Sequence, residues 1–70
     1  MRVVMMDREP VELYKILKFE SLVSTGGEAK HVIADGRVRV NGEVETRKSK
    51  KIYSGDMILF DEEQLMVVMP

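Results

Sequence analysis

The spacing of apolar positions along this 70-residue chain changes character several times, and each change marks an element boundary. Val3 to Met6 is a short apolar run closed by Asp7-Arg8, which reads as a strand. Leu13, Ile16 and Leu17, with Val11 and Tyr14 alongside, then follow helical spacing. Pro10 suits a first helical position, where its missing N–H costs nothing. Glu9 and Glu12 near the start and Lys15 and Lys18 near the end match the helix dipole. The pattern predicts a first helix over residues 10–19. Ser24 and Thr25 precede a second stripe, Ala29, Val32 and Ile33, and Glu28 stands at capping-box distance from Thr25. Asp35-Gly36 supplies a stop, because glycine accepts positive φ, so the second helix is expected over about 26–35.

After Gly36 the period shortens to two. Arg37-Val38-Arg39-Val40 alternates, Asn41-Gly42 is a strong hairpin signal, and Val44 continues the apolar face between Glu43 and Glu45. Residues 46–51 read as a polar, basic loop. Gly55-Asp56 turns into Met57-Ile58-Leu59-Phe60, Asp61-Glu62-Glu63 turns again, and residues 64–69 form a last strand. The expected fold class is α+β, with two short helices packed on one side of a small antiparallel sheet of about four to five strands. Phe60 and the methionines, among them Met5, Met57 and Met66, are expected in its core.

Size narrows the picture. A chain of 70 residues affords one core and a net stability of roughly 3–5 kcal/mol, so residues 1–70 are expected to form a single domain. There is no cysteine, which excludes disulfides and thiolate metal sites. No apolar run approaches the roughly 20 residues of a membrane-spanning helix, and the amino-terminal run is too short for a signal peptide. A cytoplasmic protein with no membrane partner is the expectation.

Charge changes it further. The net charge of −1 alone disfavours a polyanionic partner. The distribution favours one, because residues 30–51 hold seven basic side chains against three acidic ones, a net +4. The remainder holds four basic against nine acidic, a net −5. A local field of this kind guides a polyanion better than the total does.

The strings Ser24-Thr25-Gly26-Gly27-Glu28-Ala29-Lys30 and Asp35-Gly36-Arg37-Val38-Arg39-Val40-Asn41-Gly42, continuing through Val44, Arg47-Lys48 and Tyr53-Ser54-Gly55-Asp56-Met57-Ile58, carry a resemblance. They resemble the RNA-binding domain of small-subunit ribosomal protein S-four, also called the alpha-L motif, with the match spanning about residues 11–60. The string from Gly26 to Lys30 and that from Val40 to Lys48 are most similar to a subgroup of short, stand-alone bacterial proteins. The resemblance implies a strongly twisted sheet and RNA binding without catalysis, with the start of the second helix and the following hairpin as the contact surface. Carried over, the matching positions are Ser24, Thr25, Lys30, Arg37, Arg39, Arg47 and Lys48. One position departs, since many relatives carry an arginine just after the hydroxyl residue at the helix start and Gly26 stands there, which removes a side-chain phosphate contact.

The residues themselves support a wider candidate set. Ser24 or Thr25 could serve only as caps, but Gly26 and Gly27 inside a helix cost about 1 kcal/mol each relative to alanine. Without Cβ atoms, the helix start exposes backbone N–H groups to a phosphate. Lys30 lies on the face of Gly26, Gly27 and Ala34, where its ammonium is expected to stand clear of neighbours. His31 has no second histidine or cysteine beside it, so it reads as the edge of the site or a helix-end cation rather than a metal ligand. Arg37 and Arg39 share one strand face and are expected beside Lys30. Arg47, Lys48, Lys50 and Lys51 form a loop that the hairpin returns to the second helix. A charge run is often merely solvated, and these gain weight from that placement. Tyr53 is a weak stacking candidate, and the acidic residues 61–63 read as a tight turn between strands, far in sequence from the basic face. No nucleophile–base pair, metal spacing or nucleotide-cradling loop is present. The expected function is non-catalytic binding of structured RNA, ribosomal or transfer, with the ribosome a further candidate partner. The protein is expected to act as a monomer without cofactor or small-molecule substrate. The alternative is a protein-interaction module on the same fold that has lost RNA binding.

Overall fold

The computed structural model describes residues 1–70. In chain order its elements are β1 (Arg2–Met5), β2 (Val11–Glu12), α1 (Leu13–Phe19), α2 (Gly26–Ala34), β3 (Val38–Val40), β4 (Glu43–Val44), β5 (Lys51–Ile52), β6 (Met57–Phe60) and β7 (Glu63–Val68). The main sheet has five strands in the order β1-β7-β6-β3-β4, and β2 pairs with β5 in a separate two-stranded sheet. The α+β architecture is as expected, with one refinement. The main sheet is mixed, because β1 runs parallel to β7 while its other pairs are antiparallel. A parallel neighbour needs a crossover rather than a hairpin. Here the crossover is nearly the whole chain, which leaves no local signal of the pairing.

The first helix is shorter than its pattern. Val11 and Glu12 pair with Ile52 and Lys51 as a strand, so Pro10 stands outside the helix and α1 begins at Leu13. Tertiary pairing overrides the dipole and proline cues there. Leu13, Ile16 and Leu17 are buried as their spacing predicts. The second helix runs Gly26–Ala34 with Asp35 as its C-cap. The Thr25 hydroxyl accepts from the Glu28 N–H at 3.0 Å, and the Glu28 carboxylate accepts from the Ser24 N–H at 2.7 Å. This is a capping box whose return bond reaches one residue further out than usual. At the other end Gly36 takes φ +81°, and the Arg37 N–H closes onto the Val32 carbonyl at 3.1 Å.

Asn41 and Gly42 both adopt positive φ, which gives the tight β3–β4 hairpin their sequence announces. The Asn41 side chain also accepts from the Met57 N–H and donates to Asp56, which ties this turn to the start of β6.

Sixteen residues are buried, all apolar, and no charged or polar side chain is among them. Val38, Val40, Ile58, Phe60, Leu65 and Val67 face the helices from the sheet. Phe60 is in the core as expected. The methionine expectation needs correction. Val4 pairs with Val67 on the inner face, so strand alternation sends Met5 and Met66 outward. Met5 is 63% exposed, Met57 and Met66 are half-buried on the outer face, and Met6 is the buried methionine.

Removing the α2 cap tests this account. Thr25→Ala should cost about 1 kcal/mol of stability, a fall of roughly 4–8 °C in Tm for a domain of this size. Thr25→Ser should melt with the wild type in the same calorimetric comparison.

Candidate nucleic-acid interface

The geometry of the basic surface begins at a helix end without a side-chain cap. Glu12, the N-cap of α1, makes no capping hydrogen bond with its side chain. The first N–H groups of a helix still need acceptors. The basic loop supplies them, because the Leu13 N–H donates to the Lys50 carbonyl at 2.9 Å and the Tyr14 N–H to the Lys48 carbonyl at 3.2 Å. With the β2–β5 pairing, these bonds hold residues 47–51 against the start of α1.

Tyr14 also meets the second helix. The Lys30 ammonium sits 4.8 Å from the centre of its ring, and the Lys15 ammonium 5.9 Å from the same centre. Lys30 therefore does not stand clear of neighbours, as its small helical surroundings suggest. It leans on a ring from α1. Lys15 also lies 3.4 Å from Glu12. The Glu12 carboxyl is held below its ordinary value by the Ser49 hydrogen bond first and by Lys15 next. The ammonium groups of Lys15 and Lys30 thus lie over the Tyr14 ring, while the Lys48 carbonyl holds its backbone.

The helix start is open. A Cβ at Gly26 would meet nothing within 4 Å, and one at Gly27 would lie 3.8 Å from the Thr25 hydroxyl. Ser24, Thr25, Lys30 and His31 are exposed. Lys48 and Lys51 are exposed, and Lys50 is half-buried.

The arginines behave differently from the lysines. Arg47 donates through Nε at 2.9 Å and Nη2 at 3.1 Å to the two carboxylate oxygens of Glu45, and its backbone N–H donates to the same group at 3.0 Å. This clamp holds Glu45 far below the usual carboxylate range, at about 2, and raises Arg47. Arg37 donates to Asp61 at 3.1 and 3.3 Å and lies over the Phe60 ring at 5.3 Å. The Val38–Phe60 pairing brings the β6–β7 turn beside Arg37, so the acidic turn, far away in sequence, touches the basic segment. Arg39 donates to the Gly42 carbonyl at 3.2 Å. Because Val38 and Val40 point to the helices, Arg39 projects from the opposite sheet face. Arg37 and Arg39 share a shallow cleft with Gly36, Leu59 and Asp61. Arg39 is therefore not brought beside Lys30 as expected.

Sequence reasoning missed Tyr14 and Lys15 as members of this surface, and Glu45 and Asp61 as partners of its arginines. Arg47 follows Glu45 closely enough for that pair to be suspected locally. The Tyr14–Lys30 and Arg37–Asp61 contacts are long-range and have no local signature.

A two-helix layer on this mixed sheet, with a glycine-opened helix beside a basic loop, defines the class. Residues 4–68 match the model of the S4 domain, and the chain belongs to that family. It is 45% identical over 58 residues to YbcJ of Escherichia coli (strain K12), named as an inferred RNA-binding protein, with 83% of each chain covered. It is 33% identical over 55 residues to RlbA of Bacillus subtilis (strain 168), named as an inferred ribosome maturation protein, covering 79% of this chain and 78% of that one. The solution structure of YbcJ, described as revealing an alpha-L motif involved in RNA binding, superposes with a TM-score of 0.75 and 40% identity over 97% of this chain and 87% of that one. A crystal structure of a pseudouridylate synthase matches with a TM-score of 0.71 and 28% identity, covering 80% of this chain but 24% of the enzyme. The likeness read from the glycine-opened helix and the hairpin holds at the level of family and fold.

The Glu45–Arg47 clamp has a pH signature. Pairing lowers the folded-state pKa of Glu45, so its stabilisation is complete above the ordinary value of 4.5 and is lost as pH falls toward about 2. Carboxyl-detected NMR should place the Glu45 midpoint near the lower value and return it to the ordinary range in Arg47→Ala. The Tm gap between the two proteins should close across the same pH window.

Proposed function

We propose that this chain is a non-catalytic binder of structured RNA, ribosomal or transfer, acting in the cytoplasm as a monomer without cofactor. The observation that carries the reading is the junction at Tyr14, whose ring meets the Lys15 and Lys30 ammonium groups and whose N–H holds the backbone of the basic loop at Lys48. Ser24, Thr25, Gly26, Gly27, Lys30, His31, Arg47, Lys48, Lys50 and Lys51 form its principal contact surface. Arg37 and Arg39 form a second contact on the hairpin side. The names of YbcJ and RlbA support RNA as the ligand and a ribosomal setting. The alpha-L fold shared with the YbcJ structure supports the same reading. Exposed aromatic rings are few and separate, which favours recognition of a folded backbone over single-strand stacking. No helix is long and apolar enough to cross a membrane.

Backbone neutralisation makes such binding strongly salt-dependent, each phosphate contact adding a little under one to the log–log slope. Labelled protein titrated with total ribosomal and transfer RNA should show anisotropy changes at low salt that collapse at high salt. Lys30→Glu with Lys48→Glu should abolish the response while leaving the melting curve intact. No response at either salt would favour the protein-interaction alternative, for which the ion-paired state of Arg37 and Arg47 is the specific argument.

The glycines allow a separate measurement. Gly27→Ala should raise Tm, since alanine is the better helix former by up to about 1 kcal/mol, yet weaken RNA binding by covering backbone N–H groups. Unchanged affinity in this variant would remove the backbone-contact role.

A further inference from the structure

We propose that Tyr14 is a positioning residue for the RNA site, whose backbone anchors the Lys48 segment while its ring holds the Lys30 ammonium toward a shared phosphodiester. The inference rests on the RNA-binding reading above and assigns a role that the charge pattern alone does not. Three facts about one residue carry it. The Tyr14 N–H donates to the Lys48 carbonyl, which fixes that lysine's backbone to α1. The Tyr14 ring lies 4.8 Å from the Lys30 ammonium, within cation–π range of about 6 Å. Tyr14 is itself half-buried against the core, so its ring is a fixed support rather than a free side chain.

A lysine on a helix surface carries substantial rotamer entropy, which a phosphate must otherwise overcome to order it. Lys30 has no carboxylate partner within salt-bridge distance, in contrast to Lys15, which is paired with Glu12. The ring therefore orders Lys30 without neutralising it. An ammonium held by a carboxylate would have to give up that partner to take a phosphate. One held by a ring keeps its full charge and can meet a phosphate on its open side while staying on the ring.

The same geometry argues that Tyr14 does not stack on a base. Two ammonium groups lie within 6 Å of its ring centre, so its environment suits an anion better than a nucleobase. The ligand chemistry is the RNA phosphodiester, read without regard to base identity.

The test compares Tyr14→Phe and Tyr14→Leu, alone and with Lys30→Met. In the free protein, the Lys30 side-chain methylene resonances should show upfield ring-current shifts that persist in Tyr14→Phe and vanish in Tyr14→Leu. With total ribosomal RNA as the probe, Tyr14→Leu should weaken binding by about two- to fivefold, the value of an exposed to partly exposed cation–π contact. Tyr14→Phe should bind like wild type. In the Lys30→Met background, which should lower the salt slope by about one, Tyr14→Leu should have no further effect. Thermal melts of each variant separate loss of fold from loss of binding. An equal cost of Tyr14→Leu with and without Lys30 would overturn the proposal, since the ring would then act on RNA directly or through stability alone. Absence of the ring-current shift would overturn it as well. If wild-type protein binds no RNA at any salt while the shift is present, the functional reading fails first, and the contact is structural only.

Discussion

Two backbone hydrogen bonds, from Leu13 and Tyr14 at the start of α1 to the carbonyls of Lys50 and Lys48, decide where the positive charge of this molecule lies. Every helix begins with N–H groups that have no partner of their own. In α2 the Thr25 hydroxyl, next to the helix in sequence, satisfies part of that need by accepting from the Glu28 N–H. In α1 no side chain does, and a segment more than thirty residues away in the chain takes the place of the cap. The helix gains acceptors and the loop gains a fixed position. A run of basic residues that would otherwise be a solvated tether becomes part of the same surface as α2.

The electrostatics then sort lysines from arginines. Arg47 is clamped by Glu45 and Arg37 is held by Asp61, each through paired N–H···O contacts. Guanidinium and carboxylate match geometrically, so such pairs form readily where both are at hand. Lys30 and Lys48 have no carboxylate within salt-bridge distance. The free positive charge is consequently carried mainly by compact ammonium groups on flexible stems. Those serve a phosphate backbone as point charges, whereas a bidentate fork suits the reading of particular edges.

What the sequence made legible follows the range of each interaction. The α2 boundaries, its Thr25–Glu28 cap, the Gly36 stop and the Asn41-Gly42 hairpin all depend on residues within a few positions of one another, and all were readable. The early start assigned to α1 failed because Val11 and Glu12 answer to Ile52 and Lys51 rather than to their neighbours. The parallel β1–β7 pair was hidden for the same reason. Within the site, the basic segments were legible as charge, but the partners that restrain them were not. Asp61 looked remote from Arg37 because twenty-four positions separate them, and the β3–β6 register removes that distance. The outward methionines show a different limit, since a run such as Met57-Ile58-Leu59-Phe60 is apolar on both faces and its alternation cannot be phased without the sheet.

The five glycines separate into two groups by physical cause. Gly36, Gly42 and Gly55 have φ values between +81° and +95°, where a side chain is strained whatever space surrounds it. Their glycine character is required by the backbone. Gly26 and Gly27 have no positive φ, and the space around each would accept a methyl group. Nothing inside the folded chain requires glycine at either position, and both cost helix stability in a domain with only a few kcal/mol to spare. The proposed RNA contact supplies a reason from outside, since a first turn without Cβ atoms lets a phosphate approach its N–H groups. The first turn of α2 leaves its backbone N–H groups uncovered, with the exposed Lys30 one turn further on.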